Sequence, residues 1–453
     1  MLFSSNFPPI QTMTILSHKS PINFQSPLPQ QADVVIIGAG IIGICTAWFL
    51  RDQGLSVVVC DKGRVAGEQS GRNWGWIRQQ GRDYAELPIM MESMQIWRDL
   101  AEHLNTDIGF RQNGSLYLCE DQAQLAGYDK FLQFAKTHKL NSQALNSEQL
   151  YEKLQHTPKH WESALFTPSD ARAEPTLAVP AIARACLASG ISIIENCGVD
   201  EISMANQQVD GVKTEQGFIK CNRVLCCAGH WSSRLLNDIG IPLPQLSVKA
   251  SVARTAPAPL LFDGNASGSG IAFRRRVDGG YTIAMTDYIE VFASLQGLKQ
   301  FKVFLPLMRL AAKKLKFRIF DESAQINPFC DEAHYRRLDA SRVLNPAPSV
   351  ATLKRMRQKF EQKLPVFQDI AFLESWAGMI DAMPDVVPVM DSVDGTDGLF
   401  IATGFSGHGF GIGPAAGKIM ANLMRDKPFG HDISRFRFSR FRDGSELELG
   451  PSI

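Results

Sequence analysis

The sequence predicts an α/β fold that opens on a Rossmann-like βαβ unit, and three observations carry that prediction. Residues Ala32 to Lys62 read as a buried apolar strand, a glycine turn, a helix and a second apolar strand. An acid, Asp61, ends the second strand about 20 residues beyond the glycines. Far downstream, Gly398 to Thr403 reads as another strand that runs into the glycine-rich stretch Gly404 to Gly413, with Pro414 expected at the start of the helix that follows.

Each element has a physical reason. Gly38, Gly40 and Gly43 enclose Ala39, Ile41 and Ile42 in a G-x-G-x-x-G pattern at the strand-to-helix junction. The first glycine permits the tight turn, the second lets a pyrophosphate approach the backbone, and the third lets helix and strand pack closely. The helix N-terminus then faces the phosphates. Asp61 is placed to accept hydrogen bonds from both hydroxyls of an adenosine ribose, and its charge argues against a 2′-phosphate. Further on, Thr176 to Ser189 has a helical pattern and Ile191 to Glu195 reads as a strand. A hairpin around Val209 to Lys220 follows, then a strand Arg223 to Cys227 that ends in Ala228, Gly229, His230 and Trp231. Two glycine-rich helix starts so far apart in sequence suit a flavin dinucleotide: one cradles the pyrophosphate, and the other puts its positive end near the N1–C2=O edge of the ring.

Composition bounds the alternatives. With 453 residues, 45% hydrophobic and 21% charged, the chain is long enough for two cores and too apolar for disorder. A net charge of +1 excludes whole-chain attraction to nucleic acid. The nine cysteines include no C-x-x-C pair, so they read as reduced core thiols in a cytoplasmic setting, and no metal site is expected. Met1 to Gln31 lacks the charge and apolar run of a signal peptide and reads as a disordered leader, with Met13 a second candidate start. No apolar stretch approaches the roughly 20 residues that cross a bilayer.

The motifs together resemble the D-amino-acid oxidase superfamily of FAD-dependent amine and amino-acid oxidoreductases. The matching segments are Gly38 to Gly43, Asp61, GEQSGRNWGW at Gly67 to Trp76, CAGHWSSRLL at Cys227 to Leu236, WAGMIDAMPDVVPVMD at Trp376 to Asp391, and GFSGHGFGIGPAAG at Gly404 to Gly417. Within it the chain most resembles bacterial amino-acid deaminases and dehydrogenases, including membrane-associated L-amino-acid deaminases, through AGEQSGR and the FR-x-x-x-DG-x-Y hairpin at Phe273 to Tyr281. The resemblance implies an FAD domain of residues 32–85, 167–236 and 374–428. Interleaved with it is a β-rich substrate domain of residues 86–166 and 237–373, with 429–453 as a C-terminal tail.

The resemblance also implies site residues. FAD contacts are expected from the Gly38 to Gly43 turn, Asp61, Lys62, Ser70, Gly71, Arg72, Asn73, Val199, Ala228, Gly229, Trp231, Gly378, Gly404, Ser406, Gly407, His408 and Gly409, with Arg72 neutralising phosphate. The cofactor is expected to be non-covalent, since Asn73 is not a histidine and Trp376 to Pro384 contains no cysteine. By analogy Arg274 is the guanidinium fork for a substrate carboxylate, Arg78 the second candidate, Trp76 a pocket wall, and His408 a polar or proton-handling group. No catalytic base is required, because a neutral amine expels hydride as its lone pair forms the imine.

The expected reaction is oxidation of the C–N bond of an amino acid to an imino acid, which hydrolyses to a 2-oxo acid and ammonia. A glycine or sarcosine type, or a cyclic secondary amine, is the alternative, and a non-catalytic electron-transfer subunit a third. The acceptor is oxygen or a quinone or respiratory carrier, with the absence of lysine from Gly270 to Glu290 favouring the carrier. Val291 to Phe320 has no acid but many Lys, Arg and apolar residues, and reads as an interfacial helix pair broken at Pro306 that brings the protein to the inner face of the cytoplasmic membrane. A solvated basic face is the competing reading.

Overall fold

The apolar runs Val34–Ile37 and Val57–Cys60 are buried along their whole length, as central parallel strands covered on both faces must be. They lie inside a six-stranded sheet in the order Val389–Ser392, Leu399–Thr403, Val224–Cys226, Val34–Ile37, Val57–Cys60, Ser192–Ile194. Every neighbouring pair is parallel except the first. The computed structural model describes residues 15–292, 295–312, 314–318 and 342–450. Cys330 and part of the 291–320 stretch therefore lie outside the described residues, while the other eight cysteines are free and buried.

One face of this sheet is covered by helices Ile41–Leu50, Pro175–Ala188, Glu86–His103 and Gly409–Leu423, whose Ile44, Ile182, Trp97 and Ile419 share one core. The other face carries a small antiparallel sheet of Val199–Ala205, Gln208–Thr214 and Gly217–Lys220. The last helix begins at Gly409, ahead of the expected start at Pro414, because its glycines serve packing rather than a loop. A Cβ on Gly413 would lie 2.6 Å from Ile41, and one on Gly417 2.6 Å from the Cys45 backbone.

The second sheet has ten strands. Its long central strand, Leu246–Thr255, pairs on one side with Phe372–Ala382 and on the other with Tyr281–Met285 and Ile289–Phe292. Phe372–Ala382 thus belongs to this sheet, although residues from 374 onward were expected in the FAD domain. Conversely, Glu86–His103 was expected in the substrate domain but packs in the core shared with Ile41–Leu50, against Gly409–Leu423. There Ser93 Oγ and Trp97 Nε1 donate to Gly411 O at 2.7 and 2.9 Å.

Two further expectations are corrected. The described part of the leader, residues 15–31, is ordered. Gln25 bridges Ile194 on the sheet's edge strand, Gln31 bridges Lys220, Phe24 is 2% exposed, and the N–H groups of Asn23 and Phe24 donate to the Glu195 carboxylate. The tail is also tied down: Phe436 and Phe438 are buried, and Arg440 pairs with buried Asp385 at 2.8 Å. The expected break at Pro306 is absent. Helix Leu295–Leu310 runs through it, because Pro306 is exposed and the carbonyl it cannot serve is left to water. The next element is a strand, Leu315–Arg318, parallel to Ile289–Phe292.

Candidate active site

A cavity of about 1000 Å³ runs between the two sheets. At its nucleotide end the three glycines meet three different constraints. Gly38 has φ +109°, and a Cβ there would lie 2.6 Å from Cys227 O. A Cβ on Gly43 would lie 2.1 Å from Gly38 O, whereas one on Gly40 would meet only Ser70 Oγ, at 3.0 Å. Helix Ile41–Leu50 has no side-chain cap at Gly40, so its positive end is presented to the cavity. Asp61 accepts from Ala39 N at 2.8 Å and Gly63 N at 2.7 Å, joining the two turns. Burial pushes its carboxyl up to about 6 against those bonds, so hydroxyl donors would be welcome there.

The surrounding wall is fastened by polar pairs. Ser70 Oγ accepts from Ile41 N at 2.9 Å. Asn73 bridges Ser70 O and Gly75 N. Lys62 pairs with Glu68 at 2.8 Å and lies 4.2 Å from the Trp231 ring centroid, while Trp231 Nε1 donates to Glu68. Val199, Ala228, Gly229 and Gly378 complete this part of the lining with Ile42. Ala39, Gly43, Gly71 and Gly404 stand behind the surface, shaping the turns without lining the cavity. Arg72 lines the cavity, but four of its five guanidinium donors go to Gly67 O, Asn345 Oδ1, Ala377 O and Leu16 O, so it fastens loops and keeps one Nη2 hydrogen for a further partner.

The second glycine loop is held by Asp381, which sequence reasoning missed. Its buried carboxylate accepts from Gly404 N at 2.9 Å, Thr403 Oγ1 at 3.2 Å and Gln245 Nε2 at 3.3 Å. Ser406, Gly407, His408 and Gly409 then line the cavity. His408 Nε2 lies 2.7 Å from Glu86 Oε1, both buried, and since a carboxylate only accepts, the proton sits on Nε2. Burial lowers the imidazole below its ordinary 6.5 despite Glu86, so it is neutral at pH 7. Its Nδ1 has no partner among the described residues.

Arg274 is not where a substrate anchor must be. It is 1% exposed and does not line the cavity. Its fork is taken by Glu174 through two 2.8 Å bonds, and Nε donates to Trp74 O. Burial works against the Glu174 carboxylate, but Arg274 and Arg276 outweigh it and hold the group at about 2. Arg275 on the opposite face donates to Ala258 O. Arg78, by contrast, lines the cavity beside Trp76. Its Nη1 is held by Gln80 O at 2.5 Å and Tyr117 OH at 2.6 Å, while Nε and Nη2 donate to no described residue. Tyr117, Arg82 and Glu86 were also missed. Only Tyr117's alternation on the strand Ser115–Cys119 gave a signal.

These features fit FAD: a helix N-terminus at the pyrophosphate turn whose cap residue is a glycine, a buried acid for ribose hydroxyls, and a second loop bearing a neutral histidine. Residues 33–423 match the DAO family of FAD dependent oxidoreductases, and the chain belongs to that family. In particular it is similar to the L-amino acid deaminase of Proteus myxofaciens, with a TM-score of 0.87, 27% identity, and coverage of 94% of this chain and 97% of that one. N-methyl-L-tryptophan oxidase of Yersinia pestis is 24% identical over 419 residues, 90% of this chain and 99% of that protein. The mitochondrial sarcosine dehydrogenase of Mus musculus is 24% identical over 441 residues, which are 91% of this chain but 42% of that protein. The chain therefore spans less than half the length of that relative.

Two outcomes follow from this geometry. Ribose hydroxyls favour ionised Asp61, so FAD affinity should fall as pH drops through about 6, approaching about tenfold per pH unit below it. Asp61→Asn should bind more weakly but lose this dependence, as read from the fluorescence of released FAD. Arg274→Ala strands the buried Glu174 carboxylate and should cost about 3 to 5 kcal/mol in urea unfolding, with FAD retained in the fraction that stays folded.

Proposed function

We propose that the protein oxidises the C–N bond of an amino acid, giving an imino acid that water converts to a 2-oxo acid and ammonia. One observation carries this reading: the free Nε and Nη2 edge of Arg78 opens into the same cavity as the Gly38 turn and the His408 loop. When bound, non-covalent FAD supplies the hydride acceptor. Arg78 grips the substrate carboxylate side-on, a two-atom hold that stops rotation about the Cα–carboxylate axis. Tyr117 and Gln80 fix the guanidinium before substrate arrives. Trp76, with Trp74 edge-on at 5.6 Å, walls the side-chain region and excludes water from Cα. Neutral His408, held by Glu86, lines the cavity beside the substrate as a polar wall group.

The names of two relatives, sarcosine dehydrogenase and N-methyl-L-tryptophan oxidase, favour a second reading in which the amine is secondary. The chemistry at Arg78 is the same in both. We take the acceptor to be a quinone or carrier rather than oxygen, and the contact with the membrane to be peripheral. No helix among the described residues is long and apolar enough to cross one. Helix Leu295–Leu310 exposes Phe301, Val303 and Leu310 beside Lys302 and Arg309, a mixture suited to an anionic interface.

Anaerobic mixing with a panel of L- and D-amino acids and their N-methyl forms should bleach the flavin with one chirality. With the best substrate, Arg78→Ala should lose about 2 to 5 kcal/mol in kcat/KM, Arg78→Lys less, and neither should lose FAD. Normal saturation in Arg78→Ala would remove Arg78 from this role. The protein should float with phosphatidylserine vesicles at low salt, and Lys302→Glu with Arg309→Glu should release it. Equal binding by the double variant would make the segment a solvated face.

A further inference from the structure

A grip on one carboxylate at Arg78 leaves a second buried guanidinium on the same wall without a task. Arg82 is 3% exposed, lines the cavity, and spends little of its fork. Nε donates to Arg78 O at 3.0 Å and Nη2 to His408 O at 3.4 Å, while Nη1 donates to no described residue. These two bonds seat the guanidinium between the Arg78 backbone and the second glycine loop, at a fixed spacing from Arg78. Burial, and after it Arg78, lower the group to about 10, with Glu86 opposing, so it stays charged at neutral pH and an anion beside it is favoured. The carboxylates nearby are committed elsewhere. Asp83 is taken by Arg435 at 3.0 Å, and Asp170 accepts from Gln79 N at 2.7 Å behind the cavity wall. Glu86 Oε1 is taken by His408 Nε2. Among the described residues, then, no carboxylate pairs with Arg82. A zwitterionic amino acid held at Arg78 leaves this cation without a counter-ion in a desolvated site, whereas a second carboxylate on the substrate supplies one.

We propose that the amine oxidised here carries two carboxylates, one held by Arg78 and the other by Arg82, which makes Arg82 the residue that selects dicarboxylic substrates. The inference rests on the amine-oxidation reading above and names the substrate class of the same site. The second carboxylate belongs either to the side chain on Cα or to a substituent on nitrogen. Both arrangements present the same pair of anions to the same pair of forks.

The test uses ligands that differ by a single charge. Anaerobic flavin reduction in the holoenzyme is measured with glutamate against glutamine and aspartate against asparagine, in both chiralities, and with N-carboxymethylglycine against N-carbamoylmethylglycine. Glutarate against glutaramate, which carry no amine to oxidise, gives affinities from the shift of the flavin absorbance. In at least one reacting pair the acid should exceed its amide by about tenfold or more in kcat/KM, and glutarate should bind tighter than glutaramate by a similar factor. The pair that shows the preference tells whether the second carboxylate sits on the side chain or on nitrogen. Arg82→Gln should bring both ratios toward one, and Arg82→Lys, which keeps the charge, should retain part of them. An arginine that only fastens the His408 loop would lower acid and amide alike. That result, amides that match their acids in every reacting pair, or glutarate no tighter than glutaramate would overturn the proposal. If Arg82→Gln fails to fold, the glutarate comparison in the parent and in Arg82→Lys decides. Glutarate bound in preference to glutaramate by a protein whose flavin no amine bleaches would support the Arg82 site and count instead against the amine-oxidation reading.

Discussion

The carboxylate of Asp381 sits where the two sheets are joined, and the geometry of the site depends on it. The residue lies on Phe372–Ala382, a strand of the substrate-side sheet, yet it accepts from Gly404 N and Thr403 Oγ1 at the end of a strand in the nucleotide-side sheet. Gln245 Nε2 adds a third donor, and Ser406 N donates to the Asp381 carbonyl. Burial raises the carboxyl above its ordinary value, and the bonds from Gly404 and Thr403 oppose that rise. The position of His408 relative to Arg78 is set through this junction rather than by either sheet alone.

A second constraint is the number of arginines spent on holding irregular backbone. Arg72 ties Gly67, Ala377 and Leu16 together, Arg64 donates to Ser20 O, and Arg440 fixes the tail through Asp385 and Val387 O. Loops that connect two sheets leave carbonyls that no ladder satisfies, and a planar guanidinium reaches several of them at once. Burial of this kind lowers the Arg72 group to about 10, still charged at neutral pH. Such arginines look like anion sites in a sequence because the residue type is the same. Only the count of remaining donors separates them.

This explains what was legible. The Gly38 to Gly43 turn and Asp61 could be read because their function lies in contiguous chain and fixed spacing. The role of Arg274 could not, since its partner Glu174 is 100 positions away and no pattern announces the pair. His408 and Glu86 stand 322 positions apart for the same reason. Domain limits failed at Glu86–His103 and Phe372–Ala382, where amphipathic segments tell that one face is buried but not against which core. Residues 15–31 of the leader could not be read as ordered because their order comes from bridges to an edge strand and from Glu195, not from any periodicity of their own.

Arg78 and Arg274 differ in a way that bears on catalysis. A guanidinium closed by a carboxylate on both nitrogens is rigid but inert, whereas one held at a single nitrogen is oriented and still open. Arg78 has that second arrangement: Gln80 O and Tyr117 OH take Nη1, and the remaining edge faces the cavity. The cost of ordering the side chain is met before a substrate enters, so binding a carboxylate there loses less freedom than binding it to a mobile arginine. His408 is fixed by Glu86 as well, but its unpartnered Nδ1 is buried, so it shapes the loop rather than offering an open edge. Arg78, oriented at one nitrogen and open along the other edge, is what a site needs to hold an amino acid by its carboxylate.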